Sequence, residues 1–171
     1  MTAQIFDSLK LAREKGCLSG RLDIASLTRL HDLIQPDGSL LYRVEGMLDG
    51  QGRPGLRVEV TGRVKLQCQR CLGDLDQALS IDTVLRLAPA EEVAAQASGK
   101  DEEVLSDPDE PDCIAANAES DLAALVEEEV LLALPAYPRH EAACGAAGLA
   151  TMAATDSTYS AFSALAALKR K

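Results

Sequence analysis

Leu56-Arg-Val-Glu-Val-Thr-Gly-Arg-Val-Lys-Leu-Gln67 decides the fold. Successive side chains of a strand point to opposite faces, so a half-buried strand alternates apolar and polar residues. Leu56, Val58, Val60, Val64 and Leu66 share one parity, and Arg57, Glu59, Thr61, Arg63 and Lys65 the other. A helical period would scatter both sets. The turn-forming run Asp49-Gly-Gln-Gly-Arg-Pro-Gly55 precedes this stretch. With the roughly alternating residues 40–48 before it, the pattern predicts an antiparallel hairpin with one apolar and one charged face.

Working outward, residues 76–87 place Leu79, Ile81, Thr83, Leu85 and Leu87 on one face and stop at Pro89, which reads as a third strand. The turn between, residues 68–75, holds Cys68-Gln-Arg-Cys71. Upstream, Asp7 or Ser8 caps a short helix within residues 5–15. Residues 25–34 repeat Leu27, Leu30, Leu33 and Ile34 at helical spacing, with Ser26 as cap, His31 on the helix and Pro36 as the stop. Downstream, residues 90–112 are rich in acids and proline and read as an acidic flexible insertion. Cys113-Ile-Ala-Ala suits a short strand. Ser120 or Asp121 caps a helix over 122–134 with the stripe Leu122, Leu125, Val126, Val130 and Ala133, ended by Pro135. Residues 145–158 show no core pattern, and 160–171 read as a short helix ending in Lys169-Arg170-Lys171. The expected class is α+β: one domain over residues 1–144, an antiparallel sheet core flanked by helices, with a mobile tail over 145–171.

Composition narrows the function. The chain has 171 residues, no Trp, two Phe and three Tyr, so its core rests on Leu, Val and Ile. No apolar run of about 18 residues exists to span a bilayer. Met1–Lys10 lacks the basic start and apolar run of a secretory signal. A cytoplasmic location with reduced thiols is expected, and five cysteines, an odd number, argue against a disulfide framework. The net charge of -10 is unevenly spread. Residues 1–86 carry 12 Lys+Arg against 11 Asp+Glu, a net of +1, whereas residues 87–171 carry 5 against 16, a net of -11. The first half can therefore touch RNA phosphate, and the second can hold a basic protein.

Three kinds of chemistry are open to these residues. Structural Zn²⁺ takes four Cys or His ligands, commonly as two close pairs. Cys68-x2-Cys71 is one pair and His140-x3-Cys144 a second, about seventy residues on. Cysteines packed without metal are the plain alternative, and a redox pair the third, disfavoured by the all-β context of the motif. Cys17 and Cys113 have no partner at ligand spacing and read as small packed hydrophobes. No Gly-rich phosphate loop occurs, and the Glu127-Glu128-Glu129 run reads as a solvated helix face. Arg57, Arg63, Lys65 and Arg70 around the hairpin, with the Lys169-Arg170-Lys171 end, suit backbone phosphate. A solvated charged sheet face is the alternative, since the aromatic platform on which single-strand binders stack bases is missing.

Leu66-Gln-Cys-Gln-Arg-Cys-Leu72, the acidic insertion, Asp121–Pro135, Pro138-Arg-His-Glu with Cys144, and Phe162–Lys171 occur in one order. Together they resemble the bacterial YceD family. The resemblance implies a non-enzymatic role in the accumulation of large-subunit (23S) ribosomal RNA, through its synthesis, processing or stability. It implies large-subunit rRNA or its precursor as partner, or a basic ribosomal protein or assembly factor, with no membrane and no DNA. Some relatives carry further cysteines after the second motif. Here Gly145 follows Cys144 and no Cys comes after it, so His140 must serve if metal binds. Rival functions are an acidic protein-interaction adaptor and a zinc-binding or thiol protein using the CxxC pair.

Overall fold

The computed structural model describes residues 4–97, 111–141 and 144. The alternating stretch is strand β4 (Pro54–Gln67), paired antiparallel with β3 (Ser39–Leu48) on one side and β5 (Asp74–Ala88) on the other. The parity is the one expected: Leu56, Val58, Val60, Val64 and Leu66 are buried, as are Leu79, Ile81, Leu85 and Leu87 of β5. Two outer strands complete the sheet, β2 (Cys17–Asp23) beside β3 and β6 (Asp112–Ala115) beside β5. β6 runs parallel to β5, so the sheet is mixed rather than purely antiparallel. A small second sheet pairs β1 (Ile5–Phe6) with β7 (Ser120–Asp121).

Helices α1 (Ser8–Glu14) and α3 (Leu122–Ala133) contribute to one hydrophobic core with the sheet. The class is α+β. The Asp7 carboxylate caps α1 by accepting the Lys10 N–H at 2.9 Å, and Asp121 caps α3 through the Ala123 N–H, also at 2.9 Å. Gly46 of β3 lies directly under α1. A Cβ there would meet the Leu11 carbonyl oxygen at 2.0 Å, so only glycine permits this close approach. The two helix starts are tied together. Ser8 donates its hydroxyl to the Asn117 carbonyl and accepts the Asn117 N–H, both at 2.9 Å.

Several expectations need correction. Residues 25–34 do not form an α-helix but two 3₁₀ turns, Ile24–Ser26 and Thr28–Leu30. Ile24, Leu27 and Leu30 recur at intervals of three, the period of a 3₁₀ helix, and all are buried, whereas Leu33 points outward. Ser26 does not cap: its hydroxyl donates back to the Asp23 carbonyl at 2.6 Å. Residues 90–97, read as the start of the flexible insertion, form helix α2 (Ala90–Ala97), and 98–110 lie outside the described residues. The Glu127–Glu129 face is not wholly solvated. Glu127 and Glu129 are buried, and Glu127 accepts the Arg29 N–H at 2.7 Å while Glu128 pairs with the Arg29 guanidinium at 2.5 Å. Cys17 is exposed rather than packed, and Cys113 is half-buried.

The β4–β5 hairpin outruns the rest of the sheet. It stays paired from Gly55 opposite Arg86 to Gln67 opposite Asp74, whereas β3 follows β4 only as far as Thr61. At about 3.3 Å per residue, the ribbon is about 45 Å long. Its far end is supported by the segment after the 3₁₀ turns, through the Ile34 bridge to Leu66 and the Gln35 N–H to the Lys65 carbonyl at 2.9 Å. The tip is the Cys68–Gly73 turn.

Candidate metal centre

The turn is wound tightly by its own backbone. Cys68 N–H donates to the Gly73 carbonyl and Leu72 N–H to the Cys68 carbonyl, each at 2.9 Å. Leu72 adopts φ 60°, the left-handed region that non-glycine residues rarely occupy. The second pair arrives after α3, where Pro135 stops the helix and the chain returns to the hairpin tip. There the Pro138 carbonyl accepts the Gln69 N–H at 2.8 Å, docking one segment on the other.

Cys68, Cys71, His140 and Cys144 are thereby brought together, with all four ligand atoms within 4.8 Å of one another. Cys68 Sγ lies 3.7 Å from Cys144 Sγ, and His140 Nδ1 lies 3.6 Å from both Cys71 Sγ and Cys144 Sγ. A tetrahedral ion with Zn–S of about 2.3 Å and Zn–N of about 2.05 Å sets its ligand atoms about 3.8 Å (S to S) and about 3.6 Å (S to N) apart. These three distances match edges of that tetrahedron. Cys68 is fully buried and the other three are half-buried.

The imidazole is oriented for the task. His140 Nε2 lies 2.9 Å from the Asp74 carbonyl oxygen, which can only accept, so Nε2 carries a proton. Nδ1 is left to face the sulfurs with its lone pair, the arrangement metal-binding histidines use. Arg70, inside the CxxC, donates from Nε to Cys144 Sγ at 2.9 Å and from its Nη2 to the His140 carbonyl at 3.4 Å. Three thiolates around a divalent ion carry a net negative charge, and this guanidinium offsets it.

The acid–base state of the donors follows. Burial opposes ionisation of Cys68, but hydrogen bonds from the backbone of Arg70, Cys71 and His140 bring its pKa down to about 5. Burial likewise opposes ionisation of Cys144, and the Arg70 guanidinium and His140 outweigh it. Cys71 is raised: the Gly73 backbone favours its thiolate, but hydrogen bonding with Cys144, burial and Cys68 prevail. His140 is raised, first by its contact with Cys144 and then by the Asp74 carbonyl. A site that gathers thiolates and draws a proton onto its imidazole is one that calls for positive charge. Three soft sulfurs and one imidazole suit zinc rather than calcium or magnesium, which take oxygen ligands.

Of the residues proposed for phosphate, Arg57, Arg63 and Lys65 share the outward face of β4. Arg57 makes a two-point pair with Asp82 at 2.8 and 2.6 Å. Lys65 lies 3.6 Å from Asp37. Arg63 is exposed and has no ion-pair partner among the described residues. Arg70 belongs to the sulfur cluster, and Lys169, Arg170 and Lys171 lie outside the described residues. Sequence reasoning missed Asp74, whose contribution is a backbone carbonyl, and the Gln69–Pro138 bond. Neither has a side-chain signature.

The family model described as Large ribosomal RNA subunit accumulation protein YceD matches residues 56–169. The chain belongs to the YceD family. The match spans β4, the cluster and α3, and leaves β1–β3 and α1 outside it. The YceD family is named for RNA accumulation, not for a reaction. No curated protein and no solved structure matches the chain. Among the described residues, no helix is long and apolar enough to cross a membrane.

Proposed function

We propose that the chain promotes the accumulation of large-subunit (23S) rRNA in the cytoplasm without catalysing a reaction, and that Cys68, Cys71, His140 and Cys144 hold a structural Zn²⁺. Membership of the YceD family carries the first part. The second rests on the four-donor tetrahedron: four protein ligands leave no open position, which is the pattern of structural rather than catalytic zinc. A closed site also argues against a thiol enzyme.

Contact with rRNA or its precursor is electrostatic in this reading. Arg63 and Lys65 on β4, with the Lys169-Arg170-Lys171 end, are the proposed contributors. Arg57 and Arg70 would reach phosphate only by sharing their present partners. A basic ribosomal protein or assembly factor held by the acidic second half is compatible with the same role.

The decisive experiment is the ratio of large- to small-subunit rRNA in cells lacking the protein, with the wild-type copy restored as control. A selective, rescued loss of the large-subunit RNA is expected, and an unchanged ratio rejects the reading. For direct contact, Arg63→Glu with Lys65→Glu should weaken RNA binding and flatten its salt dependence by about two counterions. Wild-type affinity in that variant would remove the hairpin from the interface.

A further inference from the structure

The aromatic side chains among the described residues divide by place. Phe6 packs against the core and Tyr42 is buried, whereas Tyr137 is 74% exposed. Tyr137 is held in position by its neighbours. It lies between Pro135 and Pro138, and the Pro138 carbonyl is bonded to Gln69 inside the CxxC turn. Two residues on, Arg139 is exposed and has no ion-pair partner among the described residues. His140 follows as a candidate ligand. In the turn on the other side of the centre, Leu72 follows Cys71 and is 67% exposed.

An exposed ring, an exposed apolar side chain on the segment docked beside it and an uncommitted guanidinium are the parts that recognise unpaired nucleotides. A base stacks on the ring, and the guanidinium takes the flanking phosphate or stacks in turn. A protein-docking anchor would sit in a contiguous apolar surround. The apolar residues about Tyr137 and the turn, Pro135, Ala136, Pro138 and Leu72, are instead interrupted by Gln69, Arg70, Arg139 and Glu141. We propose that the Cys68/Cys71/His140/Cys144 centre presents Tyr137, with Leu72 and Arg139, as a stacking platform for an unpaired base of single-stranded RNA. The inference rests on direct RNA contact under the function proposed above. It adds which RNA form is taken and by which residues, and it makes metal loading the condition for presenting them.

The test uses the full chain loaded with Zn²⁺, a labelled short single-stranded RNA, and the corresponding duplex, read by fluorescence anisotropy. The wild type should prefer the single strand. Tyr137→Ala should weaken single-strand binding roughly 5- to 100-fold, and Tyr137→Phe should retain it. Both variants should keep duplex binding and metal content, which controls for folding. Chelating the metal should weaken single-strand binding in the wild type, and Tyr137→Ala should lose little more in the chelated protein. Undiminished single-strand binding by Tyr137→Ala overturns the platform. So does a wild type that binds only duplex, and in that case RNA contact survives. A wild type that binds no RNA removes direct contact and the platform together. Loss of binding to a purified basic ribosomal protein in Tyr137→Ala, with RNA binding intact, reassigns the patch to a protein and overturns the proposal.

Discussion

Leu72 holds φ 60°, a conformation that costs an L-residue about 1–2 kcal/mol. The strain is offset by the bonds that close the Cys68–Gly73 turn around two candidate ligands. Leu72→Gly removes the clash while loosening the unfolded chain, so a net stabilisation of about 0.5–1 kcal/mol is expected. Leu72→Val, branched at Cβ, should destabilise instead. Urea denaturation of the two metal-loaded variants checks both signs. His140 and Cys71 are the donors whose protons compete hardest with a metal, because both are raised. Protons are bound by the empty site and expelled by the filled one, so affinity should fall as pH falls. Cys68, at about 5, should be the last donor to regain its proton. A zinc-responsive dye followed from pH 8 downward should show release, and elemental analysis should find one zinc per chain, lost in Cys71→Ser. The four donors were legible as CxxC and HxxxC spacings. What selects the His140 tautomer was not, because it is a main-chain oxygen of Asp74.

Among the elements, α3 carries a titratable load. Burial raises the Glu129 carboxyl, with Asp112 and Glu128 adding to it and a Thr83 hydrogen bond opposing. A carboxyl raised in the folded state favours folding below its unfolded value near 4.5, and that contribution is lost as pH rises through the folded value. Glu129→Gln should therefore raise the melting temperature at pH 7, with the gain vanishing toward pH 4. Glu127→Ala should act the other way. It orphans the Arg29 N–H and unfastens the 3₁₀ turns from α3, at a cost of about 1–3 kcal/mol. Gly46→Ala, which drives a methyl into α1, should cost about 3 kcal/mol by thermal denaturation. Strands β3, β4 and β5 were readable because each is long and one face of each is buried. β2 was not, since only Leu18 and Leu22 face inward around Gly20. The 24–34 stretch misled because a step of three residues belongs both to a 3₁₀ helix and to one side of an α-helix. α2 was hidden by its Ala-rich composition, which reads as filler.

At the scale of the molecule, class and core were legible, because one strong period-2 signal forces a two-layer arrangement. The mixed sheet was not, since the direction of a four-residue strand such as β6 leaves no trace in its composition. Metal removal should act locally first. Chelation should expose the hairpin tip and the 135–141 segment to hydrogen exchange while the β3–β4–β5 centre stays protected.

Cys71 and His140 are separated by 69 positions, and an ion shared between them makes that span a ring. Joining two points so far apart removes unfolded-chain freedom worth about 4 kcal/mol on the loop-entropy scale used for cross-links. The ring contains β5, α2, β6, β7 and α3, and with them the acidic 98–110 stretch. A single backbone cut introduced within 98–110 would therefore leave two polypeptides joined by the metal as well as by β5–β6 and β1–β7 pairing and the shared core, and a chelator would remove only the first of these joins.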